Sequence, residues 1–366
     1  MKSPAGLEAQ RGPAMEQSIS SVIGIDLGDR VSHACVLSKK SGEIVERRRL
    51  ATTRKGICDL LEKRERSLVA IEVGTHSAWV SRTISVLGHE VLVGDARRLA
   101  FIFKSNDKSD RSDAENLARV ARLDRGLLYP IQHRAETAQV DLAVLRVRNG
   151  LVEVRTKLIN QVRGLVKSHG SRLRSCSATS FLSKAAPSIP DELRAAVRPL
   201  LDVLQEVGKK IRQCDAKVKE LCKEGYPETE LLRQVVGVGP VTALAYVLVL
   251  GDPARFERSR DVGAFVGLTP RRDQSGSRDP QLRITKAGNP FLRRLLVQAA
   301  QYILGPFGPD SDLRRFGMAM TDRGGANAKK RAVVAVARKL AVLLHALWKT
   351  GSVYESLRAQ EPAAVA

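Results

Sequence analysis

The chain has 366 residues, with 61 Lys+Arg against 39 Asp+Glu and a formal net charge of +22. Solubility needs no such excess, and the usual partner of so basic a surface is a polyanion, most often nucleic acid. Aromatic residues at 4% leave few anchors for a helix lying on a membrane, and 43% hydrophobic residues exclude global disorder.

Five scattered cysteines (Cys35, Cys58, Cys176, Cys214 and Cys222) form no CxxC pair, and the six histidines do not cluster. A zinc site or a disulfide framework is not expected, and a reducing cytoplasm fits. Residues 1–20 lack an apolar core and read as a disordered leader. The apolar stretch "AVVAVARKLAVLLHALW" is interrupted by Arg338 and Lys339 and is too short to span a bilayer.

Residues 21–134 read as an α/β domain. "SVIGIDLG" is a buried strand, "SHACVLS" its hairpin partner after a turn at Gly28-Asp29, and "GEIVERRRLA" a third strand. "RKGICDLLEKRE" has helical period, and "SLVAIEVG" and "HEVLVGD" are further strands. This order fits a ribonuclease-H-like (RuvC-like) sheet, and equally one half of an actin/Hsp70-type ATPase. The ATPase needs further phosphate and adenosine loops that are missing here, and +22 is the wrong charge for it.

Residues 135–225 change to long helices. Val140, Val144, Val147, Leu151, Val154, Leu158, Val162 and Leu165 step by threes and fours. So do Leu200, Leu204, Val207, Ile211, Cys214, Val218 and Leu221. These heptad-like seams predict a helical hairpin or coiled coil, open to pairing with a second protomer. Pro199 predicts a helix start or kink. Arg148, Arg155 and Arg163 share one helix face and are candidates for tracking phosphates. Residues 226–355 are mostly helical. There "VVGVGPVTALAYVLVLGD" resembles a helix-hairpin-helix, whose turn at Gly237 and Gly239 would offer backbone N–H groups to phosphate. Residues 356–366 form a tail.

Carboxylates supply the chemistry. Asp26 ends the first strand and Glu72 a central one, and a buried carboxylate at a strand end is costly unless paired or bound to metal. In "KSNDKSDRSDAENLA", Ser112 and Glu115 form a capping-box pattern, so a helix is expected to begin near Ser112. Asp110 and Asp113 would then sit at its entry, with Asp107 outside and solvated. Four hard oxygen donors suit Mg²⁺ or Mn²⁺, and a pair of such ions can clamp both sides of a phosphodiester.

These motifs together resemble the DEDD-type insertion-sequence transposases, relatives of the Piv DNA invertase. "GIDLG", "AIEVG" and "KSDRSDAENLA" match the acid motifs, the last as K-x-D-x-x-D-A. "DVGAFVGLTPRRDQSGSRDPQLRITKAGNPFLRRLL" is similar to the second signature: G-L-x-P, then Ser-Gly, then [ST]-K-x-G-N-x-x-L-R. The likeness spans residues 20 to 350. It implies a RuvC-like DEDD domain with a coiled-coil insertion, to which a late helix returns, and a C-terminal transposase domain carrying a serine nucleophile. It implies catalytic and metal-binding Asp26, Glu72, Asp110 and Asp113, with Ser275 as the nucleophile and Ser277 as a second hydroxyl in the same "QSGSRD". It also implies donor and target DNA, guidance by a structured noncoding bridge RNA, and a homo-oligomer, dimer or tetramer, at the bacterial nucleoid. Arg271, Arg272, Arg278, Arg283, Lys286 and Asn289 surround the serine, where guanidinium groups could hold a scissile phosphate. Gly288 is expected to turn the chain before a helix at Pro290. Motifs so far apart suggest chemistry shared between protomers. The alternative is a DEDD metal-dependent junction or RNA nuclease that uses water and no serine.

Overall fold

A computed structural model of the chain describes residues 19–95, 98, 110–276, 280 and 282–358. Most of the expected leader, Asp107, Ser277 and Arg278 therefore lie outside the described residues. The chain forms two compact units that meet in sequence at Arg134 and Ala135, the expected first boundary.

The first unit holds five strands: β1 (Ser21–Asp26), β2 (Val31–Ser38), β3 (Ile44–Ala51), β4 (Ser67–Glu72) and β5 (Glu90–Gly94). Their order is β3-β2-β1-β4-β5. β1, β2 and β3 pair antiparallel, while β4 and β5 continue from β1 in parallel. Strand alternation sorts the side chains onto two faces. Ile23, Ile25, Val69 and Ile71 join a core with Ile57, Leu60 and Leu61 of α1 (Arg54–Leu61) and with Val80 and Ile84 of α2 (Ser77–Val86). Val22, Leu68 and Ala70 turn the other way, against Leu117, Val120 and Ala121 of α3 (Asp110–Leu123).

α3 lies on the sheet at backbone range because Gly24 has no side chain. A Cβ there would stand 2.0 Å from the Ala114 carbonyl oxygen and 2.6 Å from the Ala118 nitrogen. Gly24→Ala is expected to push α3 off β1, costing about 1–3 kcal/mol as overpacking does. Urea melts should show the lower midpoint.

α3 is already helical at Asp110, the first described residue of this stretch, so Ser112 is not its N-cap. Ser112 is inside the first turn, and Glu115 bonds Arg47 and Arg119 instead of reaching back. Two arginines outcompete a backbone N–H for a carboxylate, because charge-assisted bonds are the stronger kind.

The second unit opens with a hairpin of two long helices, α4 (Glu136–Ser168) and α5 (Asp191–Glu224). α5 buries Leu204, Val207, Ile211 and Val218, as its seam predicts. α4 follows its predicted seam only in part: Val162 is buried and Val144 and Leu158 are partly so. It buries Leu142, Leu145, Ile159, Val162 and Val166, while Val140, Val147, Val154 and Leu165 stay exposed. Pro199 lies inside α5, which starts at Asp191 after Pro190; packing of Val197 and Leu204 on either side carries the helix through. No break occurs at 225, because Leu142, Leu145, Val218 and Cys222 share a core with the later helices. Those helices are α6 (Glu228–Arg233), α7 (Pro240–Leu250), α8 (Pro290–Leu304), α9 (Asp312–Asp322) and α10 (Ala328–Thr350). α7 is buried from Thr242 to Leu250. α10, the late helix expected to return to the sheet domain, packs within this unit against α8 and α9.

Candidate active site

The sheet presents its acids where strands end. Val22, Gly24 and Asp26 alternate onto the α3 face, as do Leu68, Ala70 and Glu72. Ile25 pairs with Ile71 across the parallel β1–β4 ladder, so Asp26 and Glu72 are the next residues on neighbouring strands. α3 enters at this end with Asp110 and Asp113 in its first turn. All four predicted acids thus gather at one edge of the first unit.

Their proximity is readable in the protonation of Asp26. Its pKa is raised from 3.8 to about 6, first by burial and then by the charges of Asp110, Asp113 and Glu72; His33 opposes the shift. Among the described residues, no three His, Cys, Asp or Glu side chains already stand at metal-chelating distance. The two facts agree. Like charges lift one another's pKa across several ångströms, and without a cation they have no reason to close further. The donor set is all oxygen and partly buried, which suits Mg²⁺ or Mn²⁺, and Asp26, Glu72, Asp110 and Asp113 are the residues that would hold the ion. An ion bound there would neutralise their charge and stabilise negative charge building on a phosphate.

The unfolded chain ionises Asp26 near 3.8 and the folded one near 6, so between those values the native state binds more protons. Stability therefore falls as pH rises through that window, and the cost is complete above about 6. Asp26→Asn is expected to raise the melting temperature in EDTA above that pH, with the gain shrinking toward pH 4. Equal melting curves at pH 7.5 would show that the carboxylates do not oppose one another.

Sequence reasoning missed His33. It is the β2 residue paired with Asp26, and its Nδ1 lies 3.6 Å from Asp110 Oδ2. The expected turn at Gly28-Asp29 would place residue 31 across from residue 26; the observed register, centred between Asp29 and Arg30, brings His33 there instead.

The second motif forms a ribbon in the second unit. Pro270 and Ile284 bridge antiparallel, Arg271 N–H donates to the Arg283 carbonyl (2.9 Å), and Thr285 N–H donates to Thr269 (2.9 Å). Ser275 is exposed, and so are Arg271, Arg272, Arg283 and Lys286. The ribbon's base is fixed by glycines. A Cβ at Gly288 (φ 73°) would lie 1.9 Å from the Phe265 carbonyl oxygen, and one at Gly267 (φ 71°) 2.2 Å from that of Ala287. The turn before Pro290 is thus as expected.

Several predicted nucleic-acid contacts have other work. The Asn289 side chain caps α8, accepting from the N–H of Phe291 and Leu292. Arg148 pairs with Asp215 at 2.5 Å. Arg163 donates to the carbonyls of Leu173 and Arg174 and sits over the Phe181 ring. Arg155 is half-buried, its Nε without a hydrogen-bond partner, and burial pushes its pKa down. The three arginines share a helix face, as predicted, but that face turns inward. Gly237 (φ 90°) and Gly239 do form the turn between α6 and α7. A Cβ on Gly237 would meet the Ala299 carbonyl oxygen at 3.1 Å, so close approach to α8 already requires glycine there.

A mixed sheet with acids gathered at its strand ends, followed by a helical unit bearing a basic serine ribbon, is the arrangement of a DNA transposase. Residues 229–312 match the transposase IS116/IS110/IS902 family, and residues 23–170 match a further transposase model of the DEDD type. The chain is 28% identical over 333 residues to the transposase for insertion sequence element IS1111A of Coxiella burnetii, 89% of each chain. It is 30% identical over 287 residues to the transposase for insertion sequence element IS1328 of Yersinia enterocolitica, covering 77% of this chain and 83% of that one. A pilin gene-inverting protein of Moraxella lacunata is 28% identical over 150 residues, 40% of this chain and 45% of its own. The chain belongs to the IS116/IS110/IS902 family of insertion-sequence transposases. Among the described residues no helix is long and apolar enough to cross a membrane.

Proposed function

We propose that this transposase cuts and rejoins DNA through a covalent link to Ser275, with a divalent cation held by Asp26, Glu72, Asp110 and Asp113. The observation that carries the reading is the placement of Asp26 and Glu72 at neighbouring strand ends where α3 brings in Asp110 and Asp113, a proximity that the raised pKa of Asp26 reflects. The strand order β3-β2-β1-β4-β5 supports a ribonuclease-H-like, RuvC-like domain, the setting in which such acids serve phosphodiester chemistry. In the reaction Ser275 Oγ attacks the scissile phosphorus, its proton leaves to solvent or a carboxylate, and the 3′ oxygen departs. The phosphoserine link keeps the bond energy, so strands rejoin by the reverse displacement without ATP. Arg271, Arg272, Arg283 and Lys286 hold the phosphate and offset its extra charge in the transition state. Backbone N–H groups at Gly237 and Gly239 contact a second phosphate, in the manner of a helix-hairpin-helix.

The partners are donor and target DNA together with a structured noncoding bridge RNA, in a bacterial cytoplasm at the nucleoid. The +22 charge supports nucleic-acid partners. The exposed stripe of Val140, Val147 and Val154, repeating every seven residues along α4, supports pairing of that helix with a second copy in a coiled coil. Val147→Glu with Val154→Glu is expected to reduce the assembly to monomers by light scattering, with the helical signal retained. An unchanged mass would place the interface elsewhere.

The decisive test co-expresses the protein with the noncoding DNA flanking its gene and a plasmid joining the element's two ends. Recombination and a protein–DNA adduct that vanish in Ser275→Ala and in Asp110→Ala, but persist in Ser277→Ala, are the expected result. Cutting that survives both serine changes and still needs Asp110 would favour the water-using nuclease instead.

A further inference from the structure

We infer that His33 is a fifth donor of the strand-end acid site, supplying an imidazole nitrogen to the divalent cation; this rests on the metal-site reading above. The β1–β2 register pairs His33 with Asp26. Residues directly opposite in an antiparallel pair stand on one side of the sheet, with Cβ atoms about 5 Å apart. That side is the one under α3, since Cys35, two residues on from His33, packs with Ala114 and Ala118.

His33 Nδ1 is 3.6 Å from Asp110 Oδ2. That is too long for a hydrogen bond. It is near the ~3 Å between adjacent ligands of an octahedral ion whose bonds are about 2.1 Å. The same nitrogen is shielded from solvent and has no hydrogen-bond partner. The chain's fully buried histidines behave otherwise. His89 accepts from Ser67 N–H through Nδ1 and bonds the Leu61 carbonyl through Nε2. His345 bonds Ser259 through one ring nitrogen and the Pro253 carbonyl through the other. Both are satisfied by the protein itself, as buried ring nitrogens normally are; His133 Nε2 is also shielded and without a partner, but its charged neighbours are Arg82 and Arg134, not carboxylates. His33 instead aims an unsatisfied nitrogen among carboxylates, where a cation completes it. An imidazole in an otherwise all-oxygen set favours a transition metal over Mg²⁺, so the site prefers Mn²⁺.

Pulsed electron paramagnetic resonance of the full-length protein loaded with Mn²⁺ tests this. Wild type is expected to show ¹⁴N coupling from a coordinated imidazole. The coupling should be absent in His33→Ala and kept in His76→Ala, a histidine that stands instead beside Asp29. Mn²⁺ affinity should fall about tenfold in His33→Ala, as loss of one supporting group typically costs, while Mg²⁺ affinity stays within about twofold. His33→Asp should restore Mn²⁺ affinity without the nitrogen signal. Bound Mn²⁺ with no ¹⁴N coupling in wild type, a reading independent of how any variant folds, would overturn the inference. So would coupling that persists in His33→Ala. Failure of wild type to bind Mn²⁺ at all would overturn the acid-site reading itself, and this inference with it.

Discussion

Ser275→Ala is expected to abolish strand transfer, by at least about 10³-fold, together with every covalent protein–DNA adduct, because loss of a nucleophile removes the step itself. Ser275 is exposed on a ribbon whose base is locked by Gly267 and Gly288, so removing its hydroxyl disturbs no packing. DNA affinity, measured by gel shift, should stay within about threefold, since the ribbon's cations remain. Denaturing gels of reactions with end-labelled DNA read the adduct directly. Mixing Ser275→Ala chains with Asp26→Ala chains adds a second reading: restored activity in mixed assemblies means that the two groups need not come from one chain. An adduct undiminished in Ser275→Ala would move the nucleophile elsewhere, first to Ser277.

Asp113→Asn should be as damaging, with a different signature. Asp113 is half-buried in the first turn of α3 and contributes to the raised pKa of Asp26. Asparagine keeps the size and loses the charge. Cleavage should fall by about 10²–10³-fold, the scale on which one group stabilising transition-state charge is worth several kcal/mol. Mn²⁺ should raise the melting temperature of wild type and do much less for the variant, because binding to the native state alone stabilises it. In EDTA the variant should melt higher than wild type above pH 6, since one like charge has left the cluster. Full cleavage by Asp113→Asn would remove the carboxylates from the chemistry, whatever the fate of Ser275.

The sheet was legible because its faces have different jobs. Each strand ends an apolar run, and Asp26 and Glu72 mark where the α3 face reaches solvent. The helix carrying Asp110 and Asp113 was also legible, although Ser112 lies inside it and Arg47, distant in sequence, takes Glu115. α4 was misread in phase for a physical reason. It carries two apolar stripes, and periodicity cannot tell which one the same chain covers; Leu142, Leu145, Ile159 and Val166, all outside the predicted seam, are buried, and of the seam only Val162 is fully so. Arg148, Arg155 and Arg163 look solvent-bound in sequence because long stems hide what the head will meet, here Asp215, Phe181 and backbone carbonyls. His33 lay in plain view, and only the strand register gives it meaning.

The serine ribbon has a consequence for fidelity. Ser275 stands in water, with no hydrogen bond to its hydroxyl among the described residues. A hydroxyl in that setting is as feeble a nucleophile as solvent itself. As the proposed nucleophile, Ser275 would therefore be carried in a disarmed form. On the mechanism proposed above, arming it would require a substrate that brings phosphate to the ribbon's cations. On that mechanism stray phosphodiesters meeting the protein would be left uncut, and reaction would be confined to DNA that makes the full set of contacts.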